Sequence, residues 1–69
     1  MSRLTRNAIE CAHCHCVIVS THRHDFVGHK CTAADGREVM IAVDGGLAYT
    51  RRVGNREDWI DRSEWSDES

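Results

Sequence analysis

The stretch Cys11-Ala12-His13-Cys14-His15-Cys16 places three thiols and two imidazoles within six consecutive residues of a 69-residue chain. The two residues between Cys11 and Cys14 allow both sulfurs to reach one tetrahedral ion, while backbone N–H groups of the intervening loop point towards sulfur. Such a knuckle supplies two ligands, so the other two have to come from a distant part of the chain.

The second pair of ligands is predicted at His29 and Cys31. Cys31 is the one cysteine outside the cluster, and His29 lies two residues before it. A tight turn after Gly28 would let both side chains chelate. Fourteen residues separate Cys14 from His29, which is close to the spacing in zinc-ribbon and zinc-finger sites. The sequence therefore predicts a structural Zn²⁺ site formed by Cys11, Cys14, His29 and Cys31.

The fourth ligand is the position of this site for which the sequence offers alternatives. The alternatives to His29 are His13, His15, Cys16, His22 and His24. Cys16 is also consistent with a small apolar residue at the start of a strand, and His13 is expected to point outward from the knuckle loop. Asp25 is a candidate hydrogen-bond partner for a ligand histidine.

Other uses of the cysteine cluster are disfavoured. Residues 11–15 match the C-x-x-C-H pattern of c-type haem attachment, but no export signal is visible. An all-thiolate iron site would use Cys16 in place of His29, and a thioredoxin-like motif would need a βαβ pattern. The zinc-deaminase and H-E-x-x-H signatures are absent. Because four ligands predict a closed site, the chain is not expected to be an enzyme.

The composition explains why a metal is expected. Only 13 residues, about 19% of the chain, are Leu, Ile, Val or Phe, near the level at which burial alone is insufficient for folding. Chains this short commonly add a metal or disulfides. The longest apolar runs, residues 16–19 and 39–43, are far shorter than a membrane span of about 20 residues. A cytoplasmic location is expected, where cysteines bind metals rather than form disulfides.

The remaining pattern predicts two β-hairpins. The first pairs residues 16–20 with 23–27, since β-branched side chains favour a pleated surface. The second pairs residues 38–43 with 47–53 across the Asp44-Gly45-Gly46 turn. Asp44 is a lone carboxylate with no partner base at a defined spacing, which favours a turn over a catalytic role.

A short C-terminal helix is predicted over residues 56–65. Asn55 suits an N-cap, and Glu57 and Asp58 would lie in the first turn, where the helix dipole favours anions. Trp59 would fill the core, and Trp65 would either cover the sheet or be exposed. The expected fold is a single zinc-ribbon-like β domain over residues 1–69, with flexible ends at 1–8 and 66–69.

Several segments together resemble a family of small uncharacterised zinc-ribbon proteins found in phages and bacteria. These segments are residues 6–11, Cys14, residues 24–27, residues 41–46, Tyr49 and residues 51–52. The resemblance covers about residues 6–60. It implies a C-x-C knuckle after the His-Asp-Phe-Val segment. In this chain the corresponding residues are His29-Lys30-Cys31, and tetrahedral zinc accepts His in place of one Cys.

Two functional hypotheses follow. The favoured one is a protein-interaction module, in which Arg51, Arg52, Trp65 and the acidic residues of 57–69 contact a partner. For a phage protein acting in the host cytoplasm, that partner would be a defence nuclease such as a CRISPR effector, or RNA polymerase. The alternative is a nucleic-acid-binding zinc ribbon, with an aromatic residue for stacking. The net charge of −2 is too mild to indicate strong attraction to nucleic acid. No membrane partner is expected, and the oligomeric state is not predicted.

Overall fold

A computed structural model of the protein describes residues 2–67, which form two antiparallel β-sheets around one core. The strands are β1 (Ser2–Cys11), β2 (Val17–Ser20), β3 (Val27–Thr32), β4 (Glu38–Asp44), β5 (Arg51–Val53), β6 (Trp59–Asp61) and β7 (Glu64–Asp67). Over these residues there is no α-helix, and hence none that is long and apolar enough to cross a membrane.

The first sheet is built around β1, the longest strand. The C-terminal half of β1 pairs with β2 on one edge and with β6 on the other, and its N-terminal half pairs with β7. Leu4 and Asn7 are both buried, although a regular strand places residues three apart on opposite faces. A register shift between Leu4 and Arg6 supplies the extra residue that brings both side chains inward.

The second sheet has the order β3-β4-β5 and packs its inner face against the first sheet. Along β3, half-buried Val27, His29 and Cys31 alternate with exposed residues, as expected for a strand with one covered face. The buried core cluster consists of Ile9, Cys11, Ile18, Ala33, Val39, Ile41 and Val43. It joins residues of both sheets, and Trp59 packs against it as predicted.

A buried amide ties the two sheets together away from the cysteines. Asn7 is 0% exposed, and its Nδ2 donates to the backbone carbonyls of Asp44 (3.0 Å) and Tyr49 (3.2 Å). Its Oδ1 accepts a 2.7 Å hydrogen bond from Arg52 Nη1. The N–H of Gly46 donates to Ser20 Oγ at 2.9 Å. These bonds satisfy polar groups that would otherwise be buried without partners.

The Asp44-Gly45-Gly46 turn requires both of its glycines. Gly45 and Gly46 adopt φ values of +107° and +52°. Residues that carry a Cβ disfavour this region of backbone conformation. A Cβ on Gly45 would overlap the Tyr49 carbonyl oxygen, and one on Gly46 would overlap the His22 carbonyl group. The turn predicted from the sequence is therefore also a point of close backbone contact.

The prediction of a C-terminal helix over residues 56–65 is wrong. Residues 56–65 contain a 3-10 turn at Arg56–Asp58, then β6 and the start of β7, both paired with β1. A ten-residue helix would have had a narrow apolar face, whereas the edge of β1 offers backbone hydrogen bonds along its length. Tertiary pairing thus outweighs the local N-cap signal, and the Asn55 side chain makes no cap hydrogen bond.

The predicted hairpins and chain ends also differ from the structure. Residues 17–20 form β2 but pair with β1 rather than with residues 23–27, most of which precede β3. The second hairpin is present as β4 and β5, but β5 is limited to Arg51–Val53. Residues 2–8, expected as a lead-in, belong to β1. Residues 66–67 end β7, while Met1, Glu68 and Ser69 lie outside the described residues.

We expect Gly45→Ala to destabilise the domain far more than Gly36→Ala. Gly36 also has a positive φ, +86°, but a Cβ there meets nothing within 4 Å, so the change should cost about 1–2 kcal/mol. Gly45→Ala adds a backbone clash and should cost at least about 3 kcal/mol. Urea unfolding of both variants measures the difference, and equal losses would contradict the close-contact role of the turn.

Candidate metal centre

Four side chains from the two sheets meet at one end of the core: Cys11, Cys14, His29 and Cys31. One ligand atom from each lies within 4.8 Å of all the others. Cys11 Sγ is 3.2 Å from Cys31 Sγ, and Cys14 Sγ is 3.0 Å from His29 Nε2. In a tetrahedral zinc site with Zn–S bonds of about 2.3 Å, neighbouring sulfurs lie about 3.8 Å apart. The four groups could therefore bind one metal ion with small adjustments.

The turn between β1 and β2 positions the first two cysteines. Cys11 is the buried last residue of β1, and its N–H donates to the Cys16 carbonyl at 2.8 Å. The N–H of His15 donates to the Cys11 carbonyl at 2.9 Å, and His15 has φ +64°. This tight loop carries Cys14 back over Cys11, as the C-x2-C spacing predicted.

The other two side chains project from β3, not from the tight turn that was expected. His29 and Cys31 are two residues apart in a strand and so share its inner face. Their cross-strand partners Ile41 and Val39 are buried in the core. This packing fixes the direction in which His29 and Cys31 point.

The cysteines influence one another's ionisation. Burial alone would raise the pKa of Cys11, but hydrogen bonds from the backbone N–H groups of Cys14 and His13 lower it to about 7. The hydrogen bond with Cys11, followed by burial, raises the pKa of Cys31 to about 12. Neighbouring thiolates repel, so a second thiolate in this cluster is disfavoured unless a cation is present.

A buried carboxylate, which sequence reasoning did not associate with the site, anchors the cysteine loop. Asp58 is 2% exposed, and Arg37 donates to it through Nη2 at 2.9 Å and Nη1 at 3.2 Å. His13 Nε2 lies 2.8 Å from its Oδ1, and the Ala12 N–H donates to its backbone carbonyl at 3.0 Å. The Arg37 guanidinium, together with His13, holds the pKa of Asp58 well below its usual range. No local signal connects residues this far apart in sequence.

The alternative ligands lie outside the cluster. His13 contacts Asp58, and His15 Nδ1 lies 3.0 Å from Glu10 Oε2. Cys16, His22 and His24 are exposed and are not among the four grouped side chains.

Asp25 was considered as a hydrogen-bond partner for a ligand histidine. Its carboxylate is instead hydrogen-bonded to Thr21 within the loop that carries both residues. Its Oδ2 accepts hydrogen bonds from the Thr21 N–H and hydroxyl at 2.9 and 3.1 Å. These bonds close the loop between β2 and β3. The Asp25 carboxylate is therefore hydrogen-bonded within this loop and not to His29.

The three predicted partner-contact residues have different surroundings. Trp65 is 55% exposed, and the Arg51 side chain is 64% exposed, with Nη1 3.9 Å from Asp44 Oδ2. The Arg52 side chain is only 14% exposed and donates to Asn7, Ser63 and Asp61. Arg52 therefore directs its charge inward, and contact with a partner stays a prediction for all three.

We expect Asp58→Asn to weaken metal binding without removing a ligand. The amide cannot accept from both Arg37 nitrogens and His13 as the carboxylate does, so the cysteine loop loses its anchor. The metal affinity should fall roughly tenfold or more, as for other groups that orient metal ligands. Competition with a chromophoric chelator measures this. Asp61→Asn is the control, since the Asp61 side chain is 52% exposed; an equal effect of the two changes would contradict the anchoring role.

Comparison with known proteins gives a family but no described activity. No curated protein and no solved structure matches the chain. Residues 3–54 match the model of a family described as Domain of unknown function (DUF7695). That description names neither fold, metal nor source, so the zinc-ribbon and phage parts of the resemblance stay predictions. The matched region includes all four clustered Cys and His residues, and the chain belongs to the DUF7695 family.

Proposed function

We propose that Cys11, Cys14, His29 and Cys31 bind one Zn²⁺ ion that holds the two sheets together. The observation that carries this proposal is the convergence of four ligand atoms within 4.8 Å. Three sulfurs and one imidazole nitrogen are a common donor set of structural zinc sites. Soft thiolates in a tetrahedral arrangement favour zinc over magnesium or calcium, which prefer oxygen ligands.

The close approach of the cysteine sulfurs is a cost that a resident cation would remove. Without one, a thiolate at Cys11 raises the pKa of Cys31. A divalent cation binds the deprotonated sulfurs and removes this conflict, so binding and folding are coupled. Structural zinc contributes about 10 kcal/mol or more in small domains, whereas a core of this size rarely supplies more than about 3–5 kcal/mol. The proposed ion would therefore dominate the stability of the domain.

We further propose that the domain acts by binding a partner and not by catalysis. Four protein ligands leave no open coordination position for a substrate or water. Several large apolar side chains are exposed, among them Phe26, Met40 and Trp65, and exposed apolar patches mark interaction surfaces. A host nuclease or RNA polymerase as the partner stays a hypothesis from the sequence.

Nucleic-acid binding is the weaker alternative because the arginines are largely engaged within the protein. Five of them form ion pairs with carboxylates: Arg6, Arg37, Arg51, Arg52 and Arg62. Arg56 lies over the Trp59 ring, 4.4 Å from its centroid. Strong binding to phosphates requires basic side chains that are available on one surface.

The metal proposal predicts one zinc per chain and unfolding on chelation. Elemental analysis should give a 1:1 ratio for the wild type, and Cys14→Ser should lose most of the metal. With EDTA in excess, far-UV circular dichroism should lose its β signal, and added Zn²⁺ should restore it. Equal stability with and without metal would contradict the structural role.

Matched variants test the ligand set. Cys16→Ser and His24→Ala should keep a full equivalent of zinc, because their side chains lie outside the cluster, whereas His29→Ala should not. Cobalt substitution provides a second readout, since thiolate and imidazole ligands give distinct absorption bands. If His29→Ala retains the metal and Cys16→Ser loses it, then Cys16 and not His29 is the fourth ligand.

A further inference from the structure

The sulfurs of Cys11 and Cys31 lie closer together than a zinc ion would hold them. Their Sγ atoms are 3.2 Å apart, whereas neighbouring sulfurs in a tetrahedral zinc site are about 3.8 Å apart. A disulfide bond, at about 2.05 Å, therefore requires only a small further approach. Because one cysteine ends β1 and the other lies on β3, such a bond would join the two sheets as the proposed zinc ion does.

The third cysteine of the cluster differs from this pair in its exposure. Cys14 is exposed, whereas Cys11 is 0% exposed and Cys31 is half-buried. The Cys14 sulfur nevertheless lies within 4.8 Å of the other two sulfurs. Since the reaction of a thiol with a dissolved oxidant requires access, Cys14 reacts first. The two neighbouring sulfurs can then displace the group that Cys14 has acquired.

We propose that a small-molecule disulfide, such as oxidised glutathione, converts Cys11 and Cys31 into a disulfide through Cys14. Oxidation of these two residues removes two of the four groups that would hold a zinc ion, so zinc binding and the disulfide exclude each other. Transient disulfides in reducing compartments respond to oxidants in this way. The inference goes beyond the proposed zinc site and uses the same cluster, but the disulfide can form in a chain that has not bound zinc.

The exchange proceeds in three steps. The Cys14 thiolate attacks one sulfur of the small disulfide, whose S–S bond breaks, and the first small thiolate leaves and takes up a proton. Cys11 loses its proton and attacks the Cys14 sulfur, which forms a Cys11–Cys14 disulfide and expels the second small thiolate to be protonated. Cys31 loses its proton, attacks the Cys11 sulfur and returns Cys14 to a thiolate. In sum, two protein thiols are oxidised and one small disulfide is reduced to two thiols.

Burial favours the Cys11–Cys31 bond as the final product. A disulfide that includes Cys14 keeps an exposed sulfur, which an external thiol can attack and open again. The Cys11–Cys31 bond has one fully buried and one half-buried sulfur, so external thiols reach it poorly. It also closes a loop that spans 20 positions, and a longer closed loop restricts the unfolded chain more than the short C-x-x-C loop does.

Mass spectrometry of the purified full chain after treatment with oxidised glutathione tests the proposal. Free thiols are blocked with N-ethylmaleimide before digestion, and trypsin separates Cys31, in peptide 31–37, from the other three cysteines, in peptide 7–23. The wild type should lose two of its four thiols and yield the two peptides joined by a disulfide. A bridge confined to peptide 7–23, a mixed disulfide that persists on Cys14, or retention of all four thiols would overturn the proposal.

The variant Cys16→Ser shows which cysteines take part. Cys16 is exposed and would itself react with glutathione, but it lies outside the cluster, so the variant should keep its zinc and form the same joined peptides. Glutathione should appear first on Cys14 and disappear as the joined peptides accumulate, and fragmentation should place the final bridge on Cys11. First appearance on Cys31, or absence of the bridge from the variant, contradicts the assigned steps.

Circular dichroism in EDTA distinguishes this inference from the zinc proposal. The reduced chain should lose its β signal on chelation, whereas the oxidised chain should keep it, because the disulfide still joins the sheets. Loss of the β signal from the bridged chain would refute the disulfide as a second link between the sheets. A chain that holds no zinc before oxidation but forms the bridge would refute only the zinc proposal.

Discussion

The convergence of Cys11 and Cys14 with His29 and Cys31 is the contact on which the proposed zinc site depends. The first pair comes from the end of β1 and the turn after it, and the second pair comes from the inner face of β3. The cluster thus joins the two sheets where Cys11 and Cys31 also border the apolar core. A core with so few large side chains does not by itself determine how two small sheets pack. A bound ion would do so, because its ligands require a particular geometry.

Buried hydrogen bonds at the opposite end of β4 have a complementary role. There, Asn7 and Ser20 of the first sheet bind the backbone of Asp44 and Gly46, at the turn that follows β4. Because each partner is buried, these bonds resist competition by water. The two ends of the sandwich are therefore held by different chemistry, a cluster of cysteine and histidine side chains at one and amide and hydroxyl groups at the other. The apolar core between the two ends packs the sheets together but does not have to set their relative position.

The sequence was most informative where the determining interactions are local. The C-x2-C spacing and the turn glycines specify backbone shapes over a few residues, and the structure contains both the cysteine loop and the Gly45-Gly46 turn. The grouping of His29 with Cys31 was predicted from a tight turn after Gly28. In the structure it arises because both residues lie on one face of a strand. Metal binding by the cluster itself stays a prediction.

The errors arose where a segment's structure depends on distant partners. Residues 2–8 are polar and have no strand-like alternation, yet they form β1 because β2, β6 and β7 pair with its edges. Residues 56–65 carry helix-start signals but meet the open edge of β1, and the backbone pairing prevails. The Asp58–Arg37 pair has the same origin, since 21 positions separate the two residues. No short-range pattern predicts such a contact.

The distribution of charge also bears on how the domain can act. Arg52 was predicted to contact a partner, but it binds buried Asn7, and Arg37 likewise binds buried Asp58. A domain this small uses much of its polar chemistry to hold its own loops, which leaves less for recognition. Its exposed apolar side chains are a cost in solubility that internal packing does not explain.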